Sequence, residues 1–118
     1  MYWVTGYFTK AEKASAFRAW LLSPEVKARF ASVERESGAR YLDTYWTINS
    51  LGEFDVEDWW ELANWAVFDR LRDSPSFQKL VLQSWELGFL DLSRPARSRM
   101  MRSTQDAKTL APPEKIAS

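Results

Sequence analysis

One pattern occurs twice in this chain. Phe17, Trp20, Ser23, Pro24, Val26 and Phe30 are answered 51 residues later by Phe68, Leu71, Ser74, Pro75, Phe77 and Val81. Each copy is a helical stretch interrupted by a Ser-Pro step, with an aromatic, strand-like run on either side. Serine is a good helix N-cap and proline is tolerated at the first helical position, so each step reads as a helix restarted. A doubled strand–helix–strand unit leaves few topologies, because connections are short and crossovers are right-handed.

The elements follow in order. Tyr2 to Phe8 reads as a first strand, rich in aromatic and β-branched residues. Thr9 with Glu12 has the spacing of a capping box and opens a helix striped by Ala14, Phe17 and Leu21. Val26, Phe30 and Val33 continue that stripe beyond Ser23-Pro24, and Gly38 is a natural stop. Arg40 to Asn49 is a second strand, Ser50 to Glu53 a turn, and Asp55 to Leu62 a third strand. Asn64 caps the second helical stretch, whose stripe is Val67, Phe68 and Leu71, then Phe77, Leu80, Val81 and Trp85. Gly88 closes it, and Phe89 to Leu92 is a short fourth strand. The order is βαββαβ: an α+β, ferredoxin-like fold, with a four-stranded antiparallel sheet and two helices on one face. Residues 1–92 form this domain. Residues 93–118 form a tail, first basic with Arg94, Arg97, Arg99 and Arg102, then polar around Pro112-Pro113. It reads as a solvated appendage or as an arm to a partner subunit or an acidic surface.

Composition removes whole classes of chemistry. The chain has 118 residues, enough for one domain with its own core. It has neither cysteine nor histidine. That excludes disulfides, thiolate nucleophiles, histidine bases and histidine-ligated zinc or haem, and the sequence implies no cofactor. Lys plus Arg and Asp plus Glu are both 16, so no overall field draws the chain to nucleic acid or membrane. No stretch reads as a signal peptide, and none approaches the roughly 18 apolar residues that a bilayer requires. The expectation is a cytoplasmic protein.

The strands carry the informative residues. With Val4, Leu42, Ile48, Val56 and Leu62 taken as facing the helices, alternation puts Trp3, Thr5, Tyr7, Tyr41, Asp43, Tyr45, Thr47, Glu57, Trp59 and Glu61 on the open face. Asp58 is the misfit, because the same parity sends it towards the helices. Five aromatics on an open sheet make a large apolar patch, and burying each stabilises by roughly 2–3 kcal/mol, so something should cover them. The candidates are a second copy, a nucleic acid and a small ligand. RNA-binding ferredoxin-like domains stack bases on such aromatics, yet three carboxylates share this face and would repel phosphate.

Here the chain resembles the dimeric α+β barrel superfamily, which includes antibiotic-biosynthesis-type monooxygenases and NIPSNAP-like proteins. The resemblance covers about residues 1–92. It rests on the βαββαβ order, the aromatic open face and the strand-to-helix junction Trp60-Glu61-Leu62-Ala63-Asn64. It implies that two sheets close face to face as a homodimer, leaving an enclosed pocket in each subunit. Many enzymes of the group use a pocket histidine; this chain has none.

The residues offer a different acid–base device. Pairing Ile48 with Val56 and Leu42 with Leu62 sets Tyr45 opposite Trp59 and Asp43 opposite Glu61. Two enclosed carboxylates raise one another's pKa and can share a proton, and tyrosine can donate to a developing oxyanion. Asp43, Glu61 and Tyr45 are therefore the candidate catalytic residues, with Trp3, Tyr7, Tyr41, Glu57 and Trp59 lining the ligand site. The plainer alternative is that Asp43 and Glu61 pair with arginines such as Arg40 or Arg94. A cation held by Asp43, Glu57 and Glu61 lacks ligands at regular spacing. Gly6 reads as a bulge or a place of close approach. Two readings result: a pocket that binds or transforms a small aromatic or apolar molecule without a cofactor, and a non-catalytic dimerisation module.

Overall fold

The two Ser-Pro steps each end one helix and start another. In the computed structural model, which describes residues 1–105, the first helical stretch is α1 (Ala14–Leu22) and α2 (Pro24–Ser37). The second is α3 (Trp65–Asp73) and α4 (Pro75–Glu86). The Ser23 hydroxyl accepts the Val26 amide and the Ser74 hydroxyl accepts the Phe77 amide, with proline at the first helical position of both α2 and α4. A side-chain oxygen thus satisfies an orphan donor where the proline ring needs no amide of its own. Asn64 caps α3 by accepting from Val67, and Gly38 ends α2 with φ of 81°.

The strands are β1 (Tyr2–Tyr7), β2 (Arg40–Trp46), β3 (Val56–Glu61) and β4 (Arg97–Met101). They form one antiparallel sheet in the order β2-β3-β1-β4. This is the ferredoxin-like βαββαβ arrangement, with each helix split by its Ser-Pro step. The fourth strand is not Phe89–Leu92. Phe89 is instead a core plug stacked on Phe17 and tilted against Trp20, and Leu90 makes only an isolated bridge to Thr9. The arginines of β4 sit on an edge strand, where charge is tolerated, and this is why the stretch reads as tail in the sequence. The Pro112-Pro113 region lies outside the described residues.

Two local expectations also fail. Thr9 is buried and its amide donates to Asp55, so the Thr9–Glu12 capping box does not form. A short 3-10 turn, Ala11–Lys13, leads into α1. The face assignment of β1 is inverted as well. Trp3 pairs with Trp60, and Trp60 with Tyr41. Trp3 meets Phe68 and Phe77, Tyr41 stacks on Phe30, and Tyr7 and Trp46 meet Phe17. Trp3, Tyr7 and Tyr41 therefore face the helices, while Val4 and Gly6 lie on the opposite side. β1 is a central strand covered on both faces, so its sequence carries no apolar–polar alternation from which to read parity.

Gly6 is a place of close approach. A Cβ there would clash with the ring of Phe54, a buried side chain that covers the strand. Gly6→Ala is expected to destabilise the fold by about 1–3 kcal/mol through overpacking. Urea unfolding checks it, and an unchanged midpoint would mean that Phe54 is not seated on Gly6.

Candidate active site beneath the helices

A polar row crosses the helix-facing side of the sheet. Register sets Thr44 of β2 opposite Asp58 of β3, Asp58 opposite Thr5 of β1, and Thr5 opposite Ser98 of β4. Directly opposed residues share a face, so the four polar side chains run in line across all four strands. The Tyr7 hydroxyl donates to Asp58 Oδ1 at 2.9 Å, and Thr44 Oγ1 donates to the same oxygen at 2.8 Å. The Tyr41 and Thr44 hydroxyls are hydrogen-bonded to each other, and Thr5 and Ser98 are bonded at 2.8 Å.

Above this row lies a cavity of about 400 Å³, and its walls are aromatic and aliphatic: Trp3, Phe17, Trp20, Phe77 and Leu80. Asp58 is only partly covered and lines this cavity. In the same wall, the Trp20 indole N–H is buried without an acceptor among the described residues. The segment 90–96 forms the outer rim. Arg94 pins that segment to the body: its guanidinium lies 4.1 Å from the Phe8 ring centroid, 2.9 Å from Asp91 and 3.5 Å from Asp55.

Burial governs the electrostatics. Desolvation lifts the Asp58 carboxyl to about 6, although the bonds from Thr44 and Tyr7 pull the other way. Burial raises the Tyr7 hydroxyl well above its ordinary value, and the neighbouring Asp58 charge adds to it. The Tyr41 hydroxyl is raised chiefly by burial, against the opposing bond to Thr44.

The expected carboxylate pair does not form. Glu61 lies opposite Arg40 and is salt-bridged to it at 2.9 Å, while Asp43 lies opposite Trp59. The β2–β3 register differs from the expected one, and an irregularity between Tyr41 and Asp43 adds one further step. It also turns Tyr41 inward while Asp43 and Tyr45 stay on the open face. Tyr45 pairs with Glu57 rather than Trp59, although the Tyr45 and Trp59 rings still meet at 6.0 Å. Tyr2 joins them, 6.1 Å from Trp59, and Glu57 is held by Trp59 Nε1 at 3.2 Å and by Arg99 at 3.4 Å. Of the residues expected at a ligand site, Trp3 and Tyr7 line the cavity and Tyr41 reaches it through Thr44; Glu57 and Trp59 stay on the other side. Asp58, Thr44, Thr5 and Ser98 are missing from the sequence-based site. Only Asp58 left a signal, as the carboxylate whose parity pointed inward. Among the described residues no group of three or more ligating side chains is placed to share a metal ion, and no helix is long and apolar enough to cross a membrane.

No protein-family model and no curated protein matches this sequence. Solved structures do share its fold. A nipsnap family protein with unknown function from Agrobacterium tumefaciens aligns with a TM-score of 0.58 at 11% identity, over 86% of each chain. An uncharacterised NIPSNAP-like domain protein from Burkholderia xenovorans aligns with a TM-score of 0.60 at 16% identity, over 87% of this chain and 84% of that one. A dabb family protein with a ferredoxin-like fold from Mesorhizobium loti aligns with a TM-score of 0.58 at 14% identity, over 86% of this chain and 96% of that one. The structural neighbours are thus the NIPSNAP-like and ferredoxin-like proteins that the sequence resembles, and the likeness is one of fold.

The raised Asp58 value has a signed consequence. The folded carboxyl, at about 6, holds its proton more tightly than the ordinary 3.8, so this contribution to stability is full below about pH 4 and is lost as pH rises through about 6. The wild-type chain is therefore expected to lose about 2–3 kcal/mol between those limits relative to Asp58→Asn. Urea midpoints of the two proteins across pH 4–7 read this out, and parallel profiles would remove the shift.

Proposed function

We propose that this chain binds a small apolar or aromatic molecule in the cavity between sheet and helices, and that Asp58 exchanges a proton with it. The observation that carries this reading is one carboxylate, lifted to about 6 and held by two hydroxyl donors, on the floor of a predominantly apolar cavity. A general base works best when its pKa lies near the operating pH, and an apolar surround strengthens its pull on a weakly acidic C–H or O–H. About 400 Å³ falls at the small end of ligand pockets, which suits a molecule of one or two rings. The Tyr7 hydroxyl steadies the carboxylate and is placed to donate to an oxygen that gains charge. The chemistry asks for no cofactor.

The open face supports a second element of the proposal, a homodimer. Tyr45 is 52% exposed there, beside Trp59 and Tyr2, on the face that the superfamily resemblance closes against a second copy. The non-catalytic alternative keeps this interface and leaves the cavity without a ligand.

Two measurements separate these readings. The two-ring fluorescent probe 1-naphthylamine, neutral at pH 7, is expected to bind the native chain and Asp58→Asn alike. Val81→Trp, which fills the cavity, should weaken binding by at least about tenfold, a loss of about 1.4 kcal/mol. In heavy water, small aromatic ketones should lose their α-proton NMR signals with the native chain and keep them with Asp58→Asn. Exchange that persists in Asp58→Asn would sink the role of the carboxylate, and failure of every probe to bind would leave the dimerisation module. Light scattering should give twice the chain mass for the native protein and a smaller mass for Trp59→Glu.

A further inference from the structure

A second cavity, of about 500 Å³, lies on the far side of Leu21 and Phe30, which line both spaces. It is unlike the first, being edged by Arg18 of α1, Lys27 and Glu34 of α2, and, at the bulged rim of the edge strand β2, by Asp43. Arg18 lies 5.0 Å from the Trp46 ring centroid, and Glu34 accepts the Tyr41 amide at 3.0 Å. Four charged side chains make this a hydrated space. Tyr41 and Thr44 line it; Asp58 and Tyr7 line the first. The hydrogen bonds Asp58–Thr44–Tyr41 therefore run from the floor of the apolar cavity to the wall of the polar one.

We infer that Thr44 and Tyr41 form a hydroxyl relay through which Asp58 exchanges its proton with solvent in the second cavity. This rests on the reading of Asp58 as the proton-exchanging group. A ligand filling the first cavity separates the carboxylate from the mouth beside Ala96 and Ser98, where Thr5 and Ser98 are bonded to each other and not to Asp58. Tyr7 offers no way out, because it lines the same cavity and its hydroxyl is already bonded to Asp58. Thr44 is the remaining contact.

The proton balance closes. In the resting arrangement Thr44 donates to the carboxylate, so its oxygen accepts from Tyr41. When Asp58 has taken a proton, the hydroxyls turn: the acid donates to Thr44, Thr44 to Tyr41, and Tyr41 to solvent. One O–H bond breaks and one forms at each hydroxyl. One proton leaves, the carboxylate returns, and both hydroxyls keep a proton. Burial holds Tyr41 neutral, so it passes a proton on without becoming an anion. Thr44 and Tyr41 are positioning residues here, since neither has to touch the ligand.

The absence of cysteine makes the test clean, because Ala96→Cys places a single thiol at the exposed mouth of the first cavity. A bulky aromatic thiosulfonate then seals that mouth without any need for a known ligand. The Asp58 carbonyl band, identified by its loss in Asp58→Asn, is followed by infrared spectroscopy after a pH jump. With the seal in place and the native relay, the band should respond about as fast as in unsealed protein. Adding Thr44→Val to the sealed protein should slow it by at least about tenfold, and unsealed Thr44→Val should stay fast. Tyr41→Phe should repeat the slowing, which keeps the test standing if Thr44→Val does not fold. Tyr7→Phe should move the midpoint of the titration without the tenfold slowing of the sealed relay variants. Equal rates in sealed native and sealed relay variants would overturn the relay, as would a sealed native protein that is itself slow. Neither result bears on whether Asp58 serves a ligand, which the ketone exchange reports separately.

Discussion

Burial of Trp60 sets the terms for the site. The indole is 3% exposed, wedged against Phe30, Tyr41 and Phe77. An aromatic of this size contributes strongly to core stability when it is buried. Side chains alternate along a strand, so drawing Trp60 under the helices draws Asp58 under them too. The carboxylate is thus carried into an apolar place by its neighbour two residues on, and the fold answers with the hydroxyls of Tyr7 and Thr44. A buried charge without such partners would be far more costly.

The other carboxylates of the sheet show what a different parity does. Glu61 is matched to Arg40 and Glu57 to Arg99 at half-exposed positions, where water still screens the pairs and they contribute little. They share a chemical group with Asp58 and little else. An acid on a sheet takes its character from the face on which it lands.

That dependence explains which features were legible in the sequence. The doubled Ser-Pro step is a local signal with a local cause, and both serines cap the helices that the pattern implied. Asn64 and Gly38 were legible for the same reason. The βαββαβ order followed from the spacing of these signals. Face assignment was not local. In Tyr2–Tyr7 nearly every residue is apolar enough for either side, and contacts from Phe68, Phe77 and Phe17 choose between them. In β2 the irregularity beside Leu42 has no residue signature, so a two-residue alternation counted across it gives Tyr41 the wrong side. The fourth strand leaves no strand-like signal in the sequence because Arg97 and Arg99 lie on the outer face of an edge strand and are solvated there. The expected Asp43–Glu61 pair was the product of these nonlocal uncertainties. Asp58 appeared in the sequence only as a misfit of parity, and the register shows that parity to be correct.

The irregularity at Leu42 works like a frameshift within one strand. On one side of it Tyr41 is read inward; on the other the frame moves by a residue, and Thr44 is read inward while Asp43 and Tyr45 are read outward. Deleting Leu42 would leave both frames as they are, because Tyr41 opposite Trp60 and Asp43 opposite Trp59 would then follow in plain alternation. Drawing Leu42 into the ladder would instead turn Tyr41 outward, take it from the hydroxyl chain and offer Arg40 to the aromatic layer in its place. The seven residues of β2 run against six of β3, and the spare residue decides which way Tyr41 faces.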